Sequence, residues 1–328
     1  MSIVKKMKRN LSKKIHRDIV HITPDEYSDK IDLKKIAIHI DSKENILEKT
    51  FKDEKLFFIY QKLIEQDYML YWHHEGSSYF IKRNRVGEIW ERPNLHSFCG
   101  LFYTITEPIE SRMSEKEESN LVVIFSPVPN GKKVVSSNIA DRTFQTYFPN
   151  IQRFLPKNTY ILRIMDVNLT YGSLYFNTSN YPDMELDVQS LISSVISSLG
   201  IDRKRTVLYG VDSVGISALF HAIKGGYLSV STNPTLSIEK MNHINGKKIS
   251  SYFGNLDDDL FNIIEGDGNL FYNPEEHLVI STEEKREEVI KLEKFSRLQF
   301  MKDKYEEEDI SKNATIEQIK FINNQIML

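Results

Sequence analysis

The segment Thr206-Val-Leu-Tyr-Gly-Val-Asp-Ser-Val-Gly-Ile-Ser-Ala-Leu219 joins an apolar run typical of a strand to a run of small and apolar residues typical of a helix. Gly210 and a short polar turn lie between the two runs. A strand that turns sharply into a helix presents one side chain at the edge of a sheet, provided that small residues flank the turn. The segment therefore predicts a strand, a strained turn and a helix, with a functional residue in the turn.

The turn can be aligned in two registers with Gly-x-Ser-x-Gly, the nucleophile elbow of α/β-hydrolases. If Gly210 is the first glycine, Asp212 occupies the nucleophile position and Val214 replaces the second glycine. If Gly215 is the second glycine, Ser213 is the nucleophile and the first glycine is missing. We favour the Asp212 register, because it keeps strand, first glycine and helix in phase and a strained turn tolerates the loss of that glycine poorly.

Three interpretations of this turn stay open at the level of sequence. Asp212 can attack a substrate as a carboxylate, or Ser213 can act as an ordinary serine nucleophile. In either case, backbone amides near Val214, at the start of the helix, are the predicted oxyanion donors. The third interpretation is a strand, turn and helix without any chemistry.

The predicted partners of the nucleophile follow it along the chain, because α/β-hydrolases place first an acid and then a histidine after the elbow. Among the later histidines, His277 stands just before an apolar run and is the predicted general base. Asp257 opens an Asp-rich tripeptide after a strand candidate and is the predicted orienting acid. These acids lack the alternating spacing of a calcium loop, so we predict no metal and no cofactor.

A second polar cluster follows the predicted strand at residues 160–164. Asp166 comes at the end of that strand where ligands bind in a parallel sheet, and Ser173 and Asn177 follow it. Carboxylates, hydroxyls and amides suit a hydroxyl-rich ligand, so these residues and Val214 are the predicted substrate contacts. The alternative is a polar loop with ordinary turn chemistry.

The order of strand and helix patterns along the chain predicts its fold class. From residue 121 onward, apolar β-branched runs alternate with helical patterns such as residues 186–199, which end at Gly200. Such alternation predicts a mostly parallel sheet with helices on both faces, an α/β-hydrolase-like domain over residues 121–328. Residues 19–106 predict a small N-terminal α+β module, and the polar residues between the two predict a linker.

Composition sets the class of protein. The chain has 328 residues, 40% of them hydrophobic, which suffices for a large core. A net charge of -3 does not favour a nucleic-acid partner, and the single cysteine, Cys99, cannot form an intramolecular disulfide.

The ends and apolar runs of the chain predict its location. No run is long enough to span a bilayer and the N-terminus lacks a secretory signal, so we predict a cytoplasmic protein. The basic tail, residues 1–18, carries seven Lys and Arg residues before its first acid. It can contact an anionic inner membrane face, although a solvated tail is the simpler interpretation.

Several short motifs occur in an order that matches a known family. They are Tyr71-Trp72, Glu88-Ile-Trp90, residues 121–125, Phe148-Pro-Asn-Ile151, residues 156–163 with Asp166, Gly172-Ser173 with Asn177-Thr178, and Tyr209-Gly210. On these motifs, across residues 55–225, the chain resembles the XcbB/CpsF-type proteins encoded with bacterial capsular polysaccharide synthesis. The resemblance implies an α/β-hydrolase-like fold and a role in making or modifying capsule polymer.

The chain departs from this family at the elbow. The family's turn reads Tyr-Gly-x-Ser-x-Gly-Gly, which places its serine on Asp212 and its next glycine on Val214. The leading hypothesis is a hydrolase or acyltransferase-like enzyme that acts on a glycan or on its ester or phosphodiester substituent. The alternative is a non-catalytic glycan-binding or scaffold protein of the capsule assembly complex. Expected partners are a glycan and capsule assembly proteins.

Overall fold

The computed structural model describes residues 19–90, 94–236, 243–244, 247–248, 262, 272–301 and 315–327. The strands are β1 (Val20–Ile22), β2 (Lys35–His39), β3 (Tyr68–His74), β4 (Ser77–Lys82), β5 (His96–Phe98), β6 (Leu101–Thr106), β7 (Asn120–Phe125), β8 (Thr159–Ile164), β9 (Thr206–Val211), β10 (Leu228–Thr232), β11 (His243–Ile244), β12 (Lys247–Lys248), β13 (His277–Thr282) and β14 (Arg297–Met301). The helices are α1 (Ile46–Lys49), α2 (Glu54–Glu65), α3 (Ile139–Thr143), α4 (Met184–Leu199), α5 (Gly215–Gly225), α6 (Arg286–Val289) and α7 (Thr315–Met327).

An eight-stranded sheet organises most of the chain. Its strand order is β5-β6-β8-β7-β9-β10-β13-β14. β6 runs antiparallel to both of its neighbours, and the other neighbouring strands pair in parallel. Numbered within the sheet, the order is 1-2-4-3-5-6-7-8 with an antiparallel second strand, which is the topology of the α/β-hydrolase fold. The predicted fold class is confirmed.

Both faces of this sheet are covered, which explains why its central strands are apolar throughout. Every residue of β7 and of β9 is buried. One face packs against α4, α5 and the segment that contains Val289 and Phe295. The other face packs against Ile151 and α7. Strands buried on both faces read as continuous apolar runs rather than as alternating ones.

The N-terminal module is a four-stranded sheet of order β1-β2-β4-β3. Helices α1 and α2 cover one of its faces, and its other face packs on the main domain through residues such as Phe102 and Met165. β5 and β6 belong to the main sheet, so the predicted module boundary at residue 106 is wrong and the module ends before β5. The segment between β6 and β7 therefore joins two strands of one sheet rather than two domains.

A buried arginine fixes the module to the main domain. Arg142, on α3, is fully buried and donates hydrogen bonds to the carbonyl oxygens of Leu70, on β3, and Thr170. The Tyr60 hydroxyl, on α2, is 3.1 Å from the Thr170 hydroxyl. A cation therefore bridges a strand of the module and a loop of the main domain.

Two predictions concern the membrane. None of the helices in the described part of the chain is both long and apolar enough to cross a bilayer. The basic tail lies outside the described residues, so its membrane contact stays a prediction.

Candidate functional site

The turn after β9 has the geometry of a nucleophile elbow. Asp212 directly follows the strand and has a φ of 51°, whereas Ser213 is not among the described residues with a positive φ. A left-handed backbone costs a residue with a Cβ roughly 1–2 kcal/mol, so the rest of the turn must enforce it. The backbone thus adopts the Asp212 register, and Ser213 is the residue after the strained position.

Gly210 explains how the strain is enforced. A Cβ atom at this position would lie 2.2 Å from the Val214 carbonyl oxygen and 3.0 Å from the Ala218 Cβ. Helix α5 can therefore approach β9 only because residue 210 has no side chain. At Gly215, an added Cβ would lie 3.2 Å from the Pro234 Cβ, so the helix is also close to the segment after β10.

The elbow presents a carboxylate at the start of a helix. Asp212 is exposed, Ser213 is half-buried, and Val214 is buried. Val214 can therefore offer a ligand only its backbone. The Gly215 amide, the first of α5, donates to the Asp212 carbonyl oxygen, and the positive end of the helix dipole favours a negative charge at this position.

A buried polar network supports the elbow from below. The Tyr209 hydroxyl donates to Gln318 Oε1, and Gln318 Nε2 donates to the Thr232 hydroxyl. The ring of Tyr147 stacks on that of Tyr209 with centroids 6.0 Å apart. Burial, then Tyr147 and Asp212, raise the pKa of Tyr209, so its hydroxyl stays protonated as a donor. Helix α7 is thereby tied to the strand that carries Asp212.

Catalytic histidines of this fold follow strands, because the carboxyl ends of parallel strands meet at the edge that carries the site. The segments that follow β7, β8, β9, β10, β13 and β14 contain only two histidines, His221 and His243. His221 is fully buried in α5, with Nε2 3.0 Å from the Tyr175 carbonyl oxygen and Nδ1 3.0 Å from Gln189 Nε2. Burial lowers its pKa to about 4, so it is a neutral core residue. The side chain of His243 lies outside the described part.

The prediction of His277 as general base is wrong. His277 is the first residue of β13 and pairs in register with Ser229, which pairs with Leu208. It therefore lies at the amino edge of the sheet, two strands across and four residues below Asp212, which is roughly 16 Å away. Its Nδ1 is 3.0 Å from the Ser229 hydroxyl, and burial lowers its pKa to about 4. A histidine before a parallel strand is at the opposite end from the site.

The remaining described histidines have partners away from the elbow. In the N-terminal module these contacts are His21 with Tyr79, His39 with Ser77, His73 with Ser78, and His74 with Trp72. His96 is on β5, four strands from β9 and thus about 19 Å across the sheet. The predicted acid, Asp257, lies outside the described residues, so its role stays a prediction.

In the second polar cluster, the residues bind one another. Asp166 follows β8 as expected, but it is 4% exposed and accepts hydrogen bonds from the backbone amides of Ser173, at 2.7 Å, and Tyr175, at 3.1 Å. A Cβ on Gly172, whose φ is 92°, would lie 2.5 Å from Asp166 Oδ2. Ser173 is fully buried. The predicted ligand contacts of Asp166 and Ser173 are therefore wrong, because both residues are used to hold this loop.

Asn177 has a different position, at the start of α4. It is exposed, its backbone amide donates to Glu185 Oε1 at 3.1 Å, and its side-chain oxygen accepts from the Glu185 amide at 2.9 Å. This reciprocal pair fixes the first turn of the helix. A ligand contact of Asn177 stays a prediction.

Asp166 leads to a prediction about pH. Burial raises its pKa from 3.8 to about 7, against the opposing effect of its backbone donors. The folded protein thus holds this proton more tightly than the unfolded chain, so the stability it contributes is lost as the pH rises from about 4 to 7. We expect Asp166→Asn, whose amide oxygen can still accept from both backbone amides, to remove a pH-dependent loss on the order of 4 kcal/mol.

The measurement is urea unfolding of both proteins across this pH range. The buried histidines have lowered pKa values, so they change the unfolding free energy with pH in the opposite direction. Both proteins contain them, so their effect cancels in the difference between the two unfolding free energies. A difference in unfolding free energy that does not change with pH would show that Asp166 is ionised in the folded protein throughout.

Comparison with known proteins gives similarities of structure alone. No known protein family and no curated protein matches the sequence. Among solved structures, the capsule O-acetyltransferase of Neisseria meningitidis serogroup A is 16% identical, with a TM-score of 0.48 over 70% of this chain and 94% of that chain. A fluorophosphonate-binding serine hydrolase of Staphylococcus aureus is 12% identical, with a TM-score of 0.45 over 71% and 96%. A glycosylation-associated protein complex from Streptococcus agalactiae is 12% identical, with a TM-score of 0.44 over 75% and 48%.

Because these identities and TM-scores are low, the fold assignment rests on the strand order of the sheet and on the geometry of the elbow. The resemblance to XcbB/CpsF-type proteins stays a prediction.

Proposed function

We propose that the protein binds a hydroxyl-rich glycan at the elbow and that it takes part, without catalysing hydrolysis, in bacterial capsule polysaccharide production. The observation that carries the proposal is Asp212, an exposed carboxylate held in a strained backbone at the carboxyl edge of the sheet. Strained residues persist where the surrounding structure enforces them, and they cluster at functional sites. The link to capsule rests on the family resemblance.

The chemistry of the elbow suits binding. A carboxylate accepts hydrogen bonds through two oxygens and can take neighbouring hydroxyl groups of one sugar. Ser213 is half-buried, and its hydroxyl can donate or accept beside this carboxylate. Such charge-assisted hydrogen bonds are about twice as strong as neutral ones.

The described histidine side chains argue against serine hydrolysis of the ordinary kind, whereas that of His243, which follows β10, lies outside the described part of the chain. A serine or aspartate nucleophile needs a base that takes a proton from the attacking group or water. His277 is at the opposite edge of the sheet, and His221 is sealed in the core with both nitrogens partnered. The sequence after β14 contains no histidine.

Affinity for capsule oligosaccharides tests the proposal. We expect wild-type protein to bind members of an array of bacterial capsule oligosaccharides, and Asp212→Asn to weaken that binding about tenfold, since a hydrogen bond to a charged group contributes about 1.5–3 kcal/mol. Ser213→Ala should weaken it by a smaller factor. His277→Asn, at the opposite edge, is the control and should bind as the wild type does. Equal affinity of Asp212→Asn and wild type would rule out the elbow as the binding site.

The strained backbone of Asp212 also favours a second function, in which its carboxylate is a nucleophile. One Oδ atom would attack an acyl carbon, and the alkoxide would leave as an alcohol with a proton from the protonated base. A sugar hydroxyl would then attack the mixed anhydride, give its proton to the base and release the Asp212 carboxylate. His243 is the histidine that could serve this reaction as base. Loss of turnover in both Asp212→Asn and His243→Ala, with oligosaccharide affinity retained in the second, would favour this function over simple binding.

A further inference from the structure

Arg163 is a buried cation that makes one hydrogen bond to the described residues. It lies on β8 and is 9% exposed. Its Nη2 donates one long hydrogen bond, 3.3 Å, to the Phe148 carbonyl oxygen, and its Nε has no partner among the described residues. Guanidinium carries five N–H donors and does not lose its charge in proteins.

Within the described part of the chain, no acid compensates this charge. Burial lowers the pKa of Arg163, and no described carboxylate opposes that effect. A charge taken out of water without a partner is strongly destabilising, by several kcal/mol in real proteins. The chain thus sustains an unfavourable arrangement that an anion would relieve.

Arg142 shows what a structural arginine looks like in the same protein. It is fully buried and donates to two carbonyl oxygens that belong to different parts of the fold, although its Nε, like that of Arg163, has no partner among the described residues. Arg163 has one acceptor and retains some exposure, so it neither joins two elements strongly nor is sealed off. A role in packing alone explains Arg142 and does not explain Arg163.

Arg163 lies near the carboxyl end of β8, two strands from β9, and its Cα is roughly 14 Å from that of Asp212 by strand geometry. Its Cα is in register with Ile124, which is in register with Tyr209, so Arg163 and Tyr209 share one row on one face of the sheet. Two strand spacings separate them, about 10 Å. Tyr209 is the residue whose hydroxyl supports the strand that leads to Asp212. The carbonyl that Arg163 contacts belongs to Phe148, which has a φ of 47° in the loop next to Tyr147.

We propose that Arg163 binds an anionic group of the ligand, a phosphate or a carboxylate, while Asp212 contacts its hydroxyl groups. The shared chemistry is a pair of oxygen atoms carrying negative charge, which the planar guanidinium fork matches in a bidentate way. The identification of the anion as part of a glycan rests on the proposed function. The existence of an anion site at Arg163 does not.

The experiment is calorimetric titration of the full chain with glucose 1-phosphate, glucuronate, inorganic phosphate and glucose. We expect the anionic probes to bind and glucose to bind more weakly. Arg163→Met, which keeps the length of the side chain, should lower the affinity for the anionic probes about tenfold and leave glucose unchanged. Arg163→Lys keeps the charge and loses the planar fork. Its affinity for the anionic probes should lie between those of wild type and Arg163→Met. The exposed Arg153, changed to Met, is the matched control and should behave as wild type.

Several results would overturn the anion site: equal affinity of glucose and glucose 1-phosphate for wild type, or Arg163→Met binding the anionic probes as wild type does. If Arg163→Met fails to fold, the test uses wild-type protein, whose melting temperature should rise in phosphate relative to chloride of the same ionic strength. No rise would also overturn it. Asp212→Asn separates the two proposals: unchanged glucose affinity with an intact phosphate effect would remove the elbow as binding site and keep the anion site.

Discussion

Gly210→Ala is expected to lower the free energy of unfolding by about 3 kcal/mol, the upper part of the range for an overpacked core. The new Cβ would lie 2.2 Å from the Val214 carbonyl oxygen and 3.0 Å from the Ala218 Cβ. Neither atom is the end of a flexible side chain, so helix α5 would have to move away from β9. Because the same close approach holds Asp212 in its strained conformation, ligand binding should be lost together with stability.

The matched control is Gly131→Ala. Unlike Gly210, Gly131 has a positive φ, 55°, and nothing lies within 4 Å of an added Cβ. Gly131→Ala should lower the free energy of unfolding only by the strain of a left-handed backbone, roughly 1–2 kcal/mol. Chemical denaturation followed by circular dichroism measures both variants. Similar stability losses in the two proteins would mean that the turn relaxes easily and that the elbow is not held by the contact at Gly210.

Arg142→Met is expected to cost about 3 kcal/mol of stability, because it leaves buried acceptors without their donor. The carbonyl oxygens of Leu70 and Thr170 would lose their hydrogen bonds, one on the N-terminal module and one on the main domain. The loss of the charge itself relieves some desolvation, which limits the effect. We therefore expect the module to separate at lower urea concentration than the rest of the protein.

Tryptophan fluorescence and circular dichroism together report this separation. Trp72 and Trp90 both pack in the cluster between the module and the main domain, so their fluorescence should change before the helical signal does. Arg85→Met, at an exposed ion pair with Glu88, is the control and should change stability by less than about 1 kcal/mol. Coincident transitions with unchanged midpoint in Arg142→Met would show that the arginine does not hold the module.

The sequence predicts those parts of the fold in which burial leaves a local pattern. Helix 186–199 and its stop at Gly200 agree with α4, which ends with Gly200 at a φ of 65°. The sequence does not predict β10, because Ser229 and Ser231 interrupt its apolar pattern. Both serines face other elements, and the Ser231 hydroxyl donates to the Gly215 carbonyl oxygen at 2.6 Å. The sequence around a strand does not indicate such hydrogen-bond partners, because they are distant along the chain.

The site was predictable in its position and not in its partners. The glycine at 210 is required by contact with Val214 and Ala218, which are near in sequence, and so the elbow could be located. The prediction of His277 as general base is wrong, although its place before a strand indicates that it lies at the amino edge of the sheet. Gln318 could not be found, because 109 residues separate it from Tyr209 and only the docking of α7 brings the two together.

Asp166 illustrates a further limit of sequence reasoning. Its place after β8 is the right edge of the sheet for a ligand contact. Whether a carboxylate there is open or capped depends on how the following loop folds back, and here the amides of Ser173 and Tyr175 cap it. Accessibility is therefore a property of the folded loop.

The central claim is that the elbow binds a glycan and does not react with it. The most direct test is to incubate wild-type protein with an O-acetylated capsule oligosaccharide that it binds, and to follow both the intact mass of the protein and the release or transfer of acetate. We expect binding with an unchanged protein mass and an unchanged ligand. An acetyl adduct on Asp212 or Ser213, or turnover of the oligosaccharide that Asp212→Asn abolishes, would contradict it.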